Sequence, residues 1–242
     1  MYDRAFAERT IASTSFAKLA SNEAAFIKRA AGFEKGASIL DVPCGTGRHA
    51  RALGRLGMQV TALDINRTCL SLARARFAHA NVKYRQGDMA KLAAYRDHFD
   101  GVVNLFTSFG YFDTDARNRA VLMGMVRTLK RGGKLVLHTI NRTYWLEHFQ
   151  PNAWRVDGDW ISVEARHYDA ATKYHEAYLS SVNNRTGRGA ALYHRIRLYS
   201  PEEMIDLMRE CGLSDIQVYG NARGGKLEVK RSTHPFYIGT RY

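Results

Sequence analysis

The stretch ILDVPCGTGRHA, residues 39–50, decides the fold of this chain. Its apolar run ends at an acid, Asp41, and is followed by Gly45 and Gly47 and then by helix-forming residues. This change of pattern predicts a buried strand that turns sharply into a helix, because glycine lets the backbone turn tightly and approach a ligand closely. The free N–H groups at the start of that helix would face the ligand.

Four more apolar runs follow the first one, and helical patterns separate them. Such alternation is typical of βαβ units, so it predicts an α/β, doubly wound fold in which helices cover both faces of a parallel sheet. Ligands of such sheets bind at the carboxyl ends of the strands. The four runs are MQVTALDI, NVKYRQGD, FDGVVNLFTS and KLVLHTI.

Polar residues predict where several helices begin. Asn66, Asp113 and Ser200 each precede a helical pattern and are good N-cap residues, and Pro201 suits the first position of its helix. Residues 4–31 carry apolar side chains at helical spacing, which predicts one broken or two short amphipathic helices.

The pattern changes after residue 142, where long aromatic segments alternate between apolar and polar residues and are joined by turns. They predict antiparallel strands inserted into a single domain. This stretch contains His167, His175 and His194, but their spacing fits no compact ligand motif, so we expect no metal site.

Composition narrows the class of protein and its partners. The 36 Lys and Arg outnumber the 23 Asp and Glu, giving a net charge of +13 that keeps a nucleic-acid partner under consideration. The basic residues are scattered, however, as on solvated helix faces. Three cysteines without a CxxC pair indicate a reducing, cytoplasmic location, and no apolar stretch approaches the roughly 20 residues that span a membrane.

The spacing of acids around the glycine turn predicts a nucleoside ligand. Ala50 completes a G-x-G-x-x-A pattern, and Asp64 lies 64 − 45 = 19 residues after Gly45, where a carboxylate can accept both ribose hydroxyls. Asp88 ends the third strand and can accept from an adenine amino group. Because Asp41 would repel a pyrophosphate, the acids favour a cationic ligand without phosphate.

With these motifs the chain resembles the class I, Rossmann-like S-adenosylmethionine-dependent methyltransferases of the small-molecule type, over residues from about 37 to 242. The resemblance implies a seven-stranded sheet with an antiparallel final strand. It also implies one domain, 1–242, with an N-terminal helical cap at 1–33 and a β-rich substrate lid at 143–199. The motifs that carry it are ILDVPCGTGRHA, VTALDIN, YRQGDMAKL, FDGVVNLFTSFGYFD, LKRGGKLVLHTINR, HFQPNAW and RLYSPEEMIDLMRECGL.

The resemblance also assigns roles to residues around S-adenosylmethionine. It implies that Asp41 and Gly45 hold the methionine amino group, Asp64 binds the ribose, and Asp88 with the Met89 backbone reads the adenine edge. The other positions that it places around the cofactor are Cys44, Thr46, Gly47, Ile65, Asn104 and Leu105.

Methyl transfer is an in-line displacement, so positioning alone supplies much of the acceleration and a general base is optional. Candidate bases at the strand ends are Tyr111 and His138. Aromatic residues of the predicted lid, such as Trp154 and Tyr178, are expected to bind the acceptor, and Tyr2 and Phe6 to close over the cofactor.

Four functions remain open on the sequence. The leading one is methylation of an oxygen or nitrogen of a small molecule, because an aromatic lid replaces any separate nucleic-acid module. The charge supports an RNA methyltransferase instead, although NLFTSFGYF departs from the Asn/Asp-Pro-Pro-aromatic motif of enzymes that methylate nucleic-acid amino groups. The others are a non-methylating enzyme that uses S-adenosylmethionine and a non-catalytic protein that binds it.

Overall fold

The computed structural model describes residues 14–242, with side chains from residue 18 onward. Two sheets organise this part of the chain, and the larger one has seven strands. These are β1 (Ser38–Asp41), β2 (Gln59–Asp64), β3 (Val82–Gln86), β4 (Phe99–Asn104), β5 (Leu129–His138), β10 (Leu213–Tyr219) and β11 (Phe236–Arg241).

The strand order of this first sheet is β10-β11-β5-β4-β1-β2-β3. Strands β1 to β5 pair in parallel, whereas β11 runs antiparallel to both β5 and β10. Both the parallel sheet and the antiparallel final strand that the sequence predicted are therefore confirmed. The carboxyl ends of β1, β2 and β4 lie side by side, because these strands are parallel and Asp41 is in register with Ala62 and Val103.

Helices lie on both faces of the first sheet, as the doubly wound fold predicts. The buried apolar side chains form two clusters. Phe26 and Leu53 belong to one cluster, and Leu122 and Met204 belong to the other. Each fully buried side chain of this kind contributes roughly 1.5–3 kcal/mol to folding. The helices are α1 (Thr14–Ala31), α2 (Arg48–Arg55), α3 (Arg67–Arg76), α4 (Asp115–Thr128), α5 (Arg142–Glu147) and α6 (Pro201–Glu210).

Two predicted helix caps are confirmed and one is wrong. Asn66 accepts the N–H groups of Thr68 and Cys69, and Ser200 forms a capping box with Glu203. Helix α4, however, is capped by Thr114 and not by Asp113.

The prediction that Asp113 caps α4 failed because the next residue, Thr114, is also a good N-cap residue. The Thr114 side chain accepts the N–H of Arg117, whereas the Asp113 carboxylate lies one residue earlier and pairs with the guanidinium of Arg117 at 3.1 Å.

At the amino-terminal side, α1 is a single helix from Thr14 to Ala31. The break predicted within residues 4–31 was not found from Thr14 onward, and residues 4–13, like Tyr2 and Phe6, lie outside the described part of the chain. Among residues 14–242, no helix is both long and apolar enough to cross a membrane.

The smaller sheet, called here the second sheet, is an antiparallel meander that the aromatic pattern after residue 142 predicted. Its strands pair in chain order, and β6 and β7 form a tight hairpin. They are β6 (Asn152–Asp157), β7 (Trp160–Asp169), β8 (Tyr174–Asn183) and β9 (Gly189–Arg197).

Charged side chains join the second sheet to the first at the end of β9. The Arg197 side chain is 5% exposed, and its guanidinium lies 3.0 Å from the Asp115 carboxylate and 3.3 Å from the Glu203 carboxylate. Glu203 also accepts from Arg142 and Lys173, each at 2.6 Å. Since Asp115 begins α4 and Glu203 lies in α6, this cluster fixes the second sheet against two helices of the first.

Candidate active site

The glycine turn between β1 and α2 has the backbone shape that the sequence predicted. Gly45 and Gly47 both have positive φ, 54° and 84°, a region that side chains with a Cβ rarely enter. A Cβ on Gly45 would meet nothing within 4 Å, whereas one on Gly47 would lie 2.6 Å from the Tyr84 hydroxyl. The two glycines therefore have different roles. Gly45 leaves space beside the turn, and Gly47 makes room for the Tyr84 side chain.

Asp41 and Asp64 lie at the carboxyl ends of β1 and β2, next to this turn. The Asp64 carboxylate accepts the N–H of Gly45 at 2.7 Å and that of Asn66 at 2.8 Å. Asp41 is 2% exposed, and its Oδ2 is buried with no hydrogen-bond partner among the described residues. Burial, together with the charge of Asp64, raises the pKa of Asp41 to about 8.

Asn104 ends β4 beside these two acids. Its Nδ2 donates to the backbone oxygen of Val42 at 2.8 Å, which fixes the amide. Its Oδ1 is buried and without a hydrogen-bond partner in the described part of the chain. Asp41 and Asn104 thus present two buried acceptor oxygens at neighbouring strand ends, an arrangement that suits an N–H-rich cation.

The remaining predicted cofactor positions lie around the same edge of the sheet. Asp88 and Met89 follow β3 and are half-buried, and Asp88 accepts the N–H of Ala90 at 2.9 Å. Ile65 is 57% exposed directly after β2, as expected for a side chain that packs on a ring. The others are buried within or beside the turn: Cys44, Thr46 and Leu105.

His138, the first candidate base, is held firmly at the end of β5. It is 6% exposed, its ring stacks on Phe236 at 4.0 Å, and its Nδ1 accepts the N–H of Phe106 at 3.4 Å. Burial lowers its pKa to about 3. The imidazole is therefore neutral at physiological pH, with one nitrogen engaged by the backbone.

Tyr111, the second candidate base, belongs to the loop that leaves β4 toward the second sheet. It is 37% exposed, and its ring lies 6.4 Å from that of His194 in β9. Gly110 receives the N–H of Arg197 on its backbone oxygen at 2.9 Å, so the second sheet holds this loop in place. The structure thus brings Tyr111, and not His138, next to the second sheet.

A buried glutamate–histidine pair near the turn was not predicted from the sequence. Glu23 of α1 and His49 of α2 lie 2.6 Å apart, at 3% and 5% exposure, and the Nδ1 of His138 is 4.0 Å from the Glu23 carboxylate. Burial alone would raise the pKa of Glu23, but the hydrogen bond from His49 lowers it. Because 26 residues separate the pair, no local pattern could have predicted it.

One face of the second sheet, called here the inner face, contacts helix α5 and the loop after β4. The other, called the outer face, is largely exposed except near Tyr174 and Arg197. On the inner face, Tyr168 and His175 contact Trp145 of α5, with ring centroids 5.6 and 4.6 Å from it. Trp154 and Tyr178, expected to bind the acceptor, lie on the outer face and are 75% and 59% exposed. The structure therefore does not bring these two residues to the face that contacts α5, and their role in acceptor binding stays a prediction.

Part of the chain is similar to known methyltransferases. Residues 39–133 match a family described as "Methyltransferase domain". A "Ubiquinone biosynthesis O-methyltransferase" of Xanthomonas oryzae pv. oryzae is 37% identical over 111 residues, which is 45% of this chain and 45% of that protein. The chain therefore matches less than half the length of this curated relative.

Solved structures share the fold over almost the whole chain. The CcbJ methyltransferase from Streptomyces caelestis superposes with a TM-score of 0.80 at 19% identity, covering 92% of this chain and 89% of CcbJ. CalS10, described as an amino pentose methyltransferase from Micromonospora echinaspora with bound SAM, has a TM-score of 0.70 at 22% identity and covers 100% and 98%. The class I methyltransferase fold that the sequence predicted is therefore confirmed.

Proposed function

We propose that this protein transfers a methyl group from S-adenosylmethionine to an oxygen or nitrogen atom of a small molecule. The observation that carries the proposal is the group of acids around an open glycine turn, above all the unpartnered Oδ2 of Asp41. A sulfonium nucleoside with an ammonium group matches such a negatively lined site, whereas a pyrophosphate would be repelled by it.

The described residues fit the cofactor at each of its polar parts. The unpartnered oxygens of Asp41 and Asn104 would accept from the ammonium group. The open side of Gly45 lets the backbone approach the ligand, and Asp64 would bind the ribose hydroxyls. Asp88 and the Met89 backbone would read the adenine, with Ile65 packed on its ring.

S-adenosylmethionine supplies a methyl group on a positively charged sulfur, and the chain must hold the acceptor in line with it. Orienting two reactants accounts for roughly 7–11 kcal/mol of the barrier in well-aligned systems. The loop of Tyr111 and the second sheet, which we propose as the lid over residues 143–199, would provide that orientation. Residues 1–33 would form the helical cap on the other side.

The relatives support a small acceptor. They include a ubiquinone biosynthesis O-methyltransferase and an amino pentose methyltransferase. Trp145 of α5 and Tyr168 on the inner face of the second sheet offer aromatic walls of the kind that bind ring-bearing molecules. A cytoplasmic location matches such a metabolic role.

The net charge of +13 keeps RNA as a second candidate acceptor. An RNA methyltransferase would bind tRNA with an affinity that falls steeply with salt, because phosphate contacts release counterions. A small-molecule enzyme would transfer no methyl group to RNA.

One experiment separates these functions. The protein is incubated with S-adenosylmethionine labelled on the methyl group and with either a metabolite extract or bulk tRNA, and labelled products are identified by mass spectrometry. We expect a labelled small molecule and unlabelled tRNA. Labelled tRNA would favour the RNA enzyme, and cofactor binding without label in either fraction would favour a non-methylating or non-catalytic protein.

A further inference from the structure

The outer face of the second sheet carries apolar residues at positions where a solvent-exposed face normally carries polar ones. In an antiparallel sheet with one face in water, apolar inward positions alternate with polar outward positions. Along β7 the outward positions include Ile161, Val163 and Ala165, and all three are exposed. The inward Ser162 between them is buried. Strand β7 therefore has the residue pattern of a strand that is covered on both faces, although the described residues cover only one.

The register of the four strands joins these residues into one continuous surface. Val163 lies opposite Trp154 of β6, and Tyr178 of β8 lies opposite Tyr193 of β9 with ring centroids 4.7 Å apart. Thirteen large apolar side chains of the described residues are exposed, and more than half of them belong to this face. These side chains, called here the outer patch, are 38–75% exposed and are Trp154, Val156, Ile161, Val163, Tyr178, Val182 and Tyr193.

The area of the outer patch matches the apolar centre of a stable dimer interface. With about 150–250 Å² for a whole aromatic side chain and about half of that for Val or Ile, the exposed fractions give about 400–700 Å² of apolar surface. A standard interface covers about 800 Å² on each partner, and about 65% of that area is apolar in homodimers. The outer patch therefore supplies the apolar area that one side of such an interface needs.

The charges of the outer face favour a second copy of this chain over an anionic partner. Glu176 and Arg195 lie on this face and pair with each other at 3.1 Å. The outward positions among the described residues of the patch itself carry no Lys, Arg, Asp or Glu. Although the whole chain has a net charge of +13, two copies would not repel each other at this face. A nucleic acid would need cations that the patch lacks.

We propose that the protein forms a symmetric dimer in which the outer patches of two copies pack against each other. The inference goes beyond the proposed function and does not depend on it. In a twofold dimer the same patch is used by both copies, and two sheets that pack face to face bury their apolar positions between them. Trp154 and Tyr178 then contact the second copy, while the inner face of each second sheet stays beside its own α5.

Sedimentation velocity of the chain, from low to high micromolar concentration, tests for the dimer. We expect a species with twice the 27.4 kDa mass of one chain. A protein that stays monomeric over this range would overturn the proposal.

The variant Tyr178→Glu tests whether the outer patch forms the contact, with Tyr242→Glu as the matched control. Tyr242 is 71% exposed and lies outside the second sheet. Tyr178→Glu should raise the dissociation constant of the dimer about 30-fold or more, because a charge replaces an aromatic side chain inside the interface. Tyr242→Glu should leave the dissociation constant unchanged. An unchanged constant for Tyr178→Glu, or an equal rise in both variants, would refute the assignment of the patch.

Hydroxyl-radical footprinting of the unmodified protein gives the decision if Tyr178→Glu does not fold. The oxidation rates of single side chains are compared by mass spectrometry at concentrations below and above the dissociation constant. Trp154, Tyr178 and Tyr193 should be oxidised more slowly in the dimer, whereas the rate for Tyr242 should not change. Equal rates for the patch in the monomer and the dimer would contradict the proposal.

A lipid surface is the other occupant that an uncharged aromatic patch could take. Vesicles of zwitterionic phosphatidylcholine are the probe, because anionic lipids would attract a chain of this net charge at any face. We expect the protein not to sediment with these vesicles. Vesicle binding by the monomer that Tyr178→Glu abolishes would assign the patch to a membrane and overturn the dimer.

Discussion

Asp41 is the residue whose chemistry distinguishes the proposed cofactor site from an ordinary strand end. Its carboxyl group is buried, lacks a partner for Oδ2 within the described residues, and has a pKa raised to about 8. At pH 7 the group is therefore mostly protonated before the cofactor binds. An ammonium group placed beside it favours the ionised form, because an opposite charge lowers the pKa of a carboxyl group.

We predict that cofactor binding releases close to one proton per site at pH 7. Calorimetric titration with S-adenosylhomocysteine in buffers of different ionisation enthalpy measures this number directly. The Asp41→Asn variant, which has no proton to lose, should bind more weakly and without that release. Equal proton release by the variant and the unmodified protein would show that the proton comes from another group.

The same raised pKa predicts how the stability of the ligand-free protein depends on pH. A group whose pKa is higher in the folded state stabilises the fold most below its unfolded pKa, and the contribution is lost as the pH rises through about 8. Urea unfolding between pH 6 and 9 should therefore show a fall in stability that Asp41→Asn lacks. Parallel curves for the two proteins would contradict the assignment.

Among the elements, the turn from β1 into α2 depends on the lack of a side chain at Gly47. A Cβ there would meet the Tyr84 hydroxyl at 2.6 Å on a backbone with φ of 84°. We predict that Gly47→Ala lowers the free energy of unfolding by roughly 1–3 kcal/mol, the usual cost of such strain. The measurement is urea unfolding followed by circular dichroism.

Gly124 provides the matched control for this substitution. It lies within helix α4, and a Cβ there would meet nothing within 4 Å. Gly124→Ala should raise the free energy of unfolding by about 0.5–1 kcal/mol, because alanine is the better helix former. If both substitutions changed stability in the same direction, the proposed role of Gly47 would be wrong.

The local sequence predicted an element correctly where its residue pattern was compatible with only one secondary structure. The strands β1, β2 and β4 were predictable because each is an apolar run closed by a polar residue at the carboxyl end of the sheet. The cap of α4 was mispredicted because Asp113 and Thr114 are adjacent and both are good caps. The six residues of α5 were missed because so short a helix carries no periodic signal.

The candidate site was only partly predictable for a different reason. The acids and glycines of the proposed cofactor site follow strands of a regular βαβ pattern, so the topology predicted their meeting at one edge of the sheet. The pair of Glu23 and His49 forms only when α1 packs on α2, and the contact of His175 with His194 depends on the register of β8 and β9. The alternation in β8 predicts two faces but does not say which one contacts α5, and Tyr178 lies on the other, exposed face.

At the scale of the whole molecule, the cluster around Arg197 holds the second sheet on the first. The Arg197 side chain is nearly enclosed, whereas its partner Asp115 is largely exposed and Glu203 keeps two other cations. We predict that Arg197→Met lowers the free energy of unfolding by about 1–3 kcal/mol, less than is typical when a fully buried pair is broken.

Arg117→Met is the control for the Arg197 substitution. Arg117 pairs with Asp113 on the surface of α4, with both side chains mostly exposed, so its loss should cost about 0–1 kcal/mol. Urea unfolding of both variants under the same conditions gives the comparison. A loss of stability no larger for Arg197→Met than for Arg117→Met would mean that the cluster is not what joins the two sheets.

The central claim is that the acids at the strand ends form a binding site for a sulfonium nucleoside. Its most direct test is calorimetric titration of the protein with S-adenosylmethionine and, separately, with NAD⁺, using Asp64→Ala and the surface control Asp113→Ala. We predict that S-adenosylmethionine binds, that NAD⁺ does not, and that Asp64→Ala alone weakens binding about 10- to 150-fold through the loss of charge-assisted hydrogen bonds. Binding of NAD⁺ at this site, or an unchanged affinity of Asp64→Ala for S-adenosylmethionine, would contradict the claim.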